Sequence, residues 1–273
     1  MTPGFNGISK LANSVGEKYF KHNVVNLASI ADSENILVIY SDYNDKNGKN
    51  YFLGQLYHEA GEFFIHMNVS PEIERESGRV RFTLAHELGH YFIPSHRKKL
   101  LKGISLSFKG NPNDKAIKQI EKEADHFAAN LLMPKTLFIK LSEGLEPGLN
   151  QILKLKDNFA TSIESTAIQY IKLNFNASIL IRWDKDFKVH HGSYSQKFSK
   201  RTGITGIPPI KDKSVYIQQQ VQLIENNSLP FIEQATTISS WISTVLPDSK
   251  KDSVGLEQTI KLGEFGGITL LIF

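Results

Sequence analysis

Residues 81 to 97 read RFTLAHELGHYFIPSHR. Two histidines, His86 and His90, stand four positions apart with Glu87 directly after the first, and only one secondary structure gives that spacing a use. On an α-helix, positions i and i+4 lie one turn apart on the same face. Both imidazoles can then reach a single ion through ring nitrogens, at about 2.0–2.1 Å for zinc. Glu87 sits roughly 100° around the helix from His86, outside the ligand set but beside a water held there, where a general base belongs. Histidine pairs on helices are also common on plain surfaces, so the pattern needs a third ligand before it specifies a metal.

The next strongly helical stretch is DKAIKQIEKEADHFAANLLMP, residues 114–134. Pro134 stops it, because proline cannot donate to the helix ladder. It offers Glu121, Glu123, Asp125 and His126. At roughly 100° per residue, Ile117, Ile120, Ala124, Phe127, Ala128, Leu131 and Leu132 form one apolar arc. Glu121 falls inside it, Asp125 at its edge one turn on, Glu123 outside it and His126 on the opposite face. A carboxylate aimed into an apolar face is costly unless it is paired or bound to metal, so Glu121 is the expected third ligand. Asp125 is placed to accept the second ring N–H of a ligand histidine and fix its tautomer. Glu123 and His126 are expected on a solvated face. A His₂Glu set favours one Zn²⁺ per chain, and the chemistry it implies is metal-assisted hydrolysis with Glu87 as base. The donor for an oxyanion stays open among Tyr91, His96, Arg97 and residues of the C-terminal part.

The 273 residues, 40% hydrophobic and 22% charged, suffice for one large domain or two ordinary ones. The chain has no cysteine, which excludes disulfides, iron–sulfur clusters, thiolate metal sites and cysteine nucleophiles and fits a reducing cytosol. The first twenty residues lack the long apolar run of a secretory signal. Their Ile8, Leu11, Ala12, Val15 and Tyr19 recur at helical spacing and predict an amphipathic helix packed on the body. The longest apolar run, ITLLIF, is too short to span a bilayer. A cytoplasmic protein without a membrane partner is expected. Its net charge of +4 is compatible with an acidic or nucleic-acid partner.

Along the chain, ENILVIY (34–40) reads as a buried strand and SDYNDKNGKN (41–50) as a turn-rich loop. YFLGQLYHEAGEFFIHMNVS (51–70) reads as a hairpin. Its second strand, FFIHMN, is either a free edge for peptide addition or an ordinary core strand. Pro94 is expected to end the metal-binding helix, and 95–115 to be loop. Residues 135–174 look helical, and within them LKDNFATSIESTAIQYIKL (155–173) has the pattern of a short helix-turn-helix unit capped by Thr161 or Ser162. Beyond 177, ASILIRWDKDFKVHHGS reads as a strand pair, with His190 and His191 at a strand end. SQKFSKRTGITGIPPIKDKS reads as a basic loop, and VYIQQQVQLIEN as a helix. FIEQATTISSWISTVL, LEQTIKLGEF and GITLLIF read as strands. Around the basic loop, Tyr194 and Phe198 interleave with Lys197, Lys200, Arg201, Lys211 and Lys213. That composition suits single-stranded nucleic acid through phosphate contact and base stacking; the plainer reading is a solvated loop.

RFTLAHELGHYF followed by EKEADHFAANLLMP resembles the ImmA/IrrE family of zinc metallopeptidases, whose two signatures are an HELGH block and an E-x-x-A-[DN]-x-F-A-x-x-L-L-M-P block. The likeness extends over about residues 20 to 175. It implies His86, His90 and Glu121 as ligands of a gluzincin-type zinc site and Glu87 as catalytic base. Family members often continue as HELGHxxxH; here Pro94 takes that position and His96 comes two residues later. The family's typical substrate is a partner helix-turn-helix repressor, cut in response to DNA damage, mobile-element induction or phage attack, and several members carry a C-terminal sensor domain.

The resemblance therefore implies an α+β chain: a zincin-like metallopeptidase domain over 1–134, a small helix-turn-helix-like segment over 135–175, and a β-rich α+β sensor domain over 176–273, with a GAF-like fold as the candidate. The function implied is zinc-dependent cleavage of a repressor in a stress response, gated through the C-terminal domain by single-stranded DNA or a small molecule. Tyr194, Lys197, Phe198, Lys200 and Arg201 are the candidate signal contacts. The alternative is a non-catalytic regulator or antitoxin-like binding protein that keeps the fold. The intact Glu87 argues against it, because a pure binding module has no need of a base there.

Overall fold

The computed structural model describes residues 4–42, 53–69, 73, 75–104, 106, 115–173, 175–243 and 253–273. Most of the 41–50 loop, residues 107–114 and the end of the 231–246 strand lie outside the described residues. The chain forms two compact units, Met1–Glu143 with Leu155–Ser162, and Gly144–Lys154 with Ile163–Phe273. Residues of the stretch 135–175 fall in both units. Phe138 stacks on Phe159 in the first unit at 5.5 Å, while Glu164 pairs with Arg182 in the second at 3.2 Å. Among the described residues no helix is long and apolar enough to cross a membrane.

The first unit opens with the amphipathic helix α1 (Phe5–Lys18), the short strands β1 (Phe20–Lys21) and β2 (Val24–Val25), and α2 (Leu27–Ser33). Asn26 caps α2 by accepting from the Ser29 N–H. A three-stranded sheet is next: β3 (Ile36–Ser41), β4 (Gly54–Glu59) and β5 (Glu62–Asn68). Ala60 and Gly61, both at positive φ, turn β4 into β5 with Glu59 opposite Glu62, a two-residue hairpin whose backbone twist matches the strands. The sheet order is β3-β5-β4, with β3 parallel and β4 antiparallel to β5. FFIHMN is therefore the central strand and has no free edge; the outer strands are β3 and β4. Nor is ENILVIY buried throughout. Ile36 faces the core, but Leu37 is 65% and Ile39 41% exposed, because this outer strand covers the core with one face only.

Helix α3 (Gly78–Phe92) carries HELGH. Ser77 caps it by accepting from the Val80 N–H, and Leu84, Leu88 and Tyr91 recur on its buried face. It stops at Ile93, whose extended backbone (φ −75°, ψ 113°) is the conformation a succeeding proline imposes. Pro94 ends α3 as expected, yet the next segment is not loop. Pro94 occupies the first position of a new helix, α4 (Pro94–Leu100), where its fixed φ is already helical and its missing N–H costs nothing. Next come α5 (Lys115–Leu132), α6 (Lys135–Ser142) and the second half of α7 (Leu149–Phe159). Ala124, Phe127, Ala128, Leu131 and Leu132 on α5 are fully buried, as their periodicity requires; burying Phe127 alone contributes about 1.5–3 kcal/mol.

The second unit starts with the first half of α7 and α8 (Ile163–Leu173). It is built on a five-stranded antiparallel sheet of order β7-β6-β10-β9-β8, with β6 (Ser178–Trp183), β7 (Val189–Tyr194), β8 (Ile232–Thr237), β9 (Val254–Lys261) and β10 (Gly267–Ile272). Helices α9 (Gln196–Thr202), α10 (Ser214–Asn226) and α11 (Ile238–Trp241) complete it. Trp183, Trp241, Phe198, Ile217 and Ile179 form its core, and Trp183 donates to the Thr269 hydroxyl at 2.9 Å. Two expectations change here. The basic loop contains α9, nucleated when Ser195 accepts from the Phe198 N–H. The 231–246 strand ends at Thr237, after which the chain turns into α11 and buries Trp241.

Candidate metal centre

The site is where α3 and α5 cross. Gly89, inside HELGH, makes the crossing close: a Cβ there would stand 3.2 Å from the Phe127 Cβ and 3.3 Å from the Ala124 carbonyl oxygen. With backbones this near, side chains one turn along each helix converge. His86 Nε2 and His90 Nε2 are 3.1 Å apart. Glu121 places Oε2 3.2 Å from His86 Nε2 and Oε1 3.7 Å from His90 Nε2. One ligand atom from each of the three lies within 4.8 Å of the others.

The far ring nitrogens are occupied as well. His86 Nδ1 is 2.9 Å from Asp125 Oδ1, whose side chain is more than half exposed. Burial pulls the His86 imidazole down, but the hydrogen bonds to Asp125 and Glu121 outweigh it and hold the ring at about 10. His90 Nδ1 is 3.1 Å from His96 Nδ1. Burial, and the neighbouring His86 and His96, keep His90 well below the ordinary histidine value. His96 Nε2 is in turn 3.0 Å from Glu123 Oε2, and the Gln119 amide donates to Glu123 Oε1 at 2.8 Å. Glu123 is therefore not on a solvated face. It is buried at 8% exposure, because α4, read in the sequence as loop, lies over that side and presents His96. His126 accepts or donates with Ser9 at 2.6 Å and meets the Phe5 ring edge-on, on the side that α1 covers.

Glu87 is buried beneath β4. Its Oε2 accepts from the Leu56 N–H at 2.8 Å. A Cβ on Gly54 would reach 2.6 Å from the Thr83 methyl and 3.1 Å from Glu87 Cγ, so glycine is what lets the strand lie across the helix at this point. Burial pushes the Glu87 carboxyl up to about 7, against the opposing pull of His86 and the Leu56 N–H.

A family model, the IrrE N-terminal-like domain of peptidase M78, matches residues 31–169, just over half of the chain. The chain belongs to this metallopeptidase family. No curated protein matches it. Among solved structures, a Mycobacterium tuberculosis transcriptional regulator is similar in fold, with a TM-score of 0.57 at 15% identity over 97% of this chain and 76% of that one.

The residues of this peptidase M78 chain fit a metal. Ligands at about 2.0–2.1 Å in a tetrahedron stand about 3.3 Å from one another, close to the 3.1 and 3.2 Å separations here. Two imidazoles and a carboxylate are a zinc-like donor set. Of the residues considered for an oxyanion, Tyr91 donates to Glu34 at 3.0 Å, Arg97 lies over the Tyr91 ring at 4.1 Å, and His96 is committed to His90 and Glu123. In the second unit, Phe198 is fully buried and unavailable for stacking on a base. Tyr194 accepts from the Gly206 N–H and Lys197 donates to the Phe175 carbonyl, while Lys200 and Arg201 are exposed. Sequence reasoning missed Leu56 and Gly54. The only signal was a glycine opening a strand.

Proposed function

We propose that this chain is a zinc-dependent endopeptidase of gluzincin type that cleaves a partner helix-turn-helix transcriptional repressor in the cytoplasm and so relieves repression under stress, DNA damage, mobile-element induction or phage attack. The observation that carries the reading is the convergence of His86, His90 and Glu121 beside a buried Glu87. One Zn²⁺, held by those three side chains, would polarise the scissile carbonyl and acidify a water. Glu87 is the base. Its buried carboxylate, anchored through the Leu56 N–H, is placed to take a proton from that water and return it to the leaving amine. The Leu56 N–H holds Oε2, while Oε1 faces the space that Gly54 leaves open. Asp125 fixes the His86 tautomer.

Strand β4 offers the substrate a place to lie. Along an antiparallel strand the N–H groups point alternately toward the partner and away. The Leu56 N–H reaches Glu87, so those of Gly54 and His58 share its side, and an extended peptide can pair with that outer edge. The C-terminal unit is the gate, a GAF-like sensor of single-stranded DNA or a small molecule, with Tyr194, Lys197, Lys200 and Arg201 as contacts. The likeness of fold to a transcriptional regulator is in keeping with a role in gene control.

The test is co-expression with the helix-turn-helix repressors encoded in the same genome, with and without DNA damage, tracking each repressor by mass. A single defined cut that disappears in Glu87→Gln supports the reading. Repressors all left whole under every condition would refute it.

A further inference from the structure

We propose that His96 and Glu123 form a relay that sets the tautomer and aim of His90, so that this ligand is positioned through a second histidine rather than directly by a carboxylate. The inference rests on the proposed metal site and concerns residues which that proposal does not use. Its observations are four groups in a line: His90 Nδ1, His96 Nδ1 at 3.1 Å, Glu123 Oε2 at 3.0 Å from His96 Nε2, and the Gln119 amide at 2.8 Å from Glu123 Oε1. His90, His96 and Glu123 are all buried, His96 at 1% exposure.

For two neutral imidazoles and an ionised Glu123, counting protons leaves one arrangement. A neutral imidazole carries one N–H and one acceptor nitrogen. Between His90 Nδ1 and His96 Nδ1, one must donate and the other accept. If His96 donated, its Nε2 would be a lone pair facing a carboxylate oxygen, two acceptors at 3.0 Å with nothing between them. If His90 donates, His96 bears its proton on Nε2 and gives it to Glu123, whose other oxygen takes the Gln119 amide proton. Every group is then satisfied, as buried polar groups require. The same arrangement leaves His90 Nε2 unprotonated and aimed at His86 Nε2 and Glu121. Glu123 thus selects the form of His90 able to accept a metal, acting through His96.

The two ligand histidines are held in different ways. His86 leans on Asp125, whose side chain is more than half exposed, while His90 leans on His96 and, through it, Glu123, both buried. Partners behind a ligand histidine commonly control affinity by about 10- to 100-fold. His96 and Glu123 are therefore positioning residues, and neither touches the substrate.

The full chain, stripped of metal, is titrated with zinc against a chromophoric chelator as wild type, His96→Ala, Glu123→Leu, Glu123→Gln and Glu121→Ala, with circular dichroism melts of each metal-free protein. Zinc affinity should fall about 10- to 100-fold in His96→Ala and Glu123→Leu and recover in part in Glu123→Gln, whose amide oxygen can still accept from His96. A merely structural role would lower the melting temperature and leave the affinity of the folded protein unchanged. Long-range ¹H–¹⁵N correlation of histidine-labelled wild type gives the tautomers directly, and decides even where a variant does not fold. His96 should carry its proton on Nε2 and His90 on Nδ1, with and without zinc. A proton on His96 Nδ1, or wild-type affinity in both His96→Ala and Glu123→Leu while Glu121→Ala loses zinc, overturns the relay and leaves the metal site standing. A wild type that binds no zinc, indistinguishable from Glu121→Ala, overturns the metal reading and the relay with it.

Discussion

Replacing the proposed base should stabilise the metal-free protein. Glu87 is buried, and its carboxyl is pushed from an ordinary 4.5 to about 7. A carboxylate whose folded-state value is raised is a liability once pH exceeds the unfolded value, because the unfolded chain gives up the proton more readily. The penalty is absent below 4.5, grows with pH, and is complete above 7. Linkage over that interval gives about 3 kcal/mol at pH 8 and about 1 kcal/mol at pH 5. Glu87→Gln removes the charge but keeps the shape, and its amide oxygen can still accept from the Leu56 N–H now held by Oε2. Urea unfolding of the metal-free proteins at the two pH values measures the difference. Both tryptophans lie in the second unit, so far-UV circular dichroism, not tryptophan fluorescence, should monitor the transition. The variant should be more stable by about 3 kcal/mol at pH 8 and by about 1 kcal/mol at pH 5, while losing all turnover. A variant less stable than wild type at pH 8, or a gain independent of pH, would show that Glu87 is not a strained buried acid.

The same geometry bears on metal uptake and on the seating of the base. Glu121→Ala should lose zinc on dialysis, whereas Asp125→Ala, which removes only a partner behind His86, should weaken it about tenfold. Zinc uptake should release protons. The His86 ring at about 10 must surrender one at pH 8, and Glu87, near 7 without metal, adds a second as the pH falls to 6, because a nearby cation favours the carboxylate. Calorimetry in buffers of different ionisation enthalpy reads that count, and a release of zero at pH 8 would contradict it. Gly54→Val should leave zinc bound while turnover drops on the order of 100-fold, since the added side chain meets Thr83 and Glu87; unchanged kcat would mean that the strand does not seat the base.

The part of the site legible in the sequence is the part fixed by helical angle. His86 and His90 share a face by spacing alone, and Glu121 stands out as an acid in an apolar arc. Glu123 escapes such reasoning, because a helical wheel says which way a side chain points, not what another segment brings to meet it. The neighbour, His96, comes from α4, and a proline with lysines around it reads as loop until one sees that Pro94 begins a helix. Strand order is opaque for a similar cause. Alternation tells which residues of FFIHMN share a face, but whether β5 lies in the middle depends on β3 pairing with it in parallel, past the intervening strand β4. In the second unit, Phe198 resembles a base-stacking aromatic because its neighbours are basic. The cue to the contrary is Ser195 three residues earlier, a helix cap that turns the ring inward.

The donor set also has a meaning for the chain as a polymer. His90 is on α3 and Glu121 on α5, so an ion gripped by both ties off a loop of about thirty residues. By chain entropy, a permanent cross-link of that span is worth about 3–4 kcal/mol, comparable to a disulfide, in a chain that has no cysteine to make one. Zinc would then act as a removable staple. A nick anywhere between the two helices would leave the fragments tethered for as long as the ion stays, and starvation for the metal would cost the protein part of its mechanical integrity along with its chemistry.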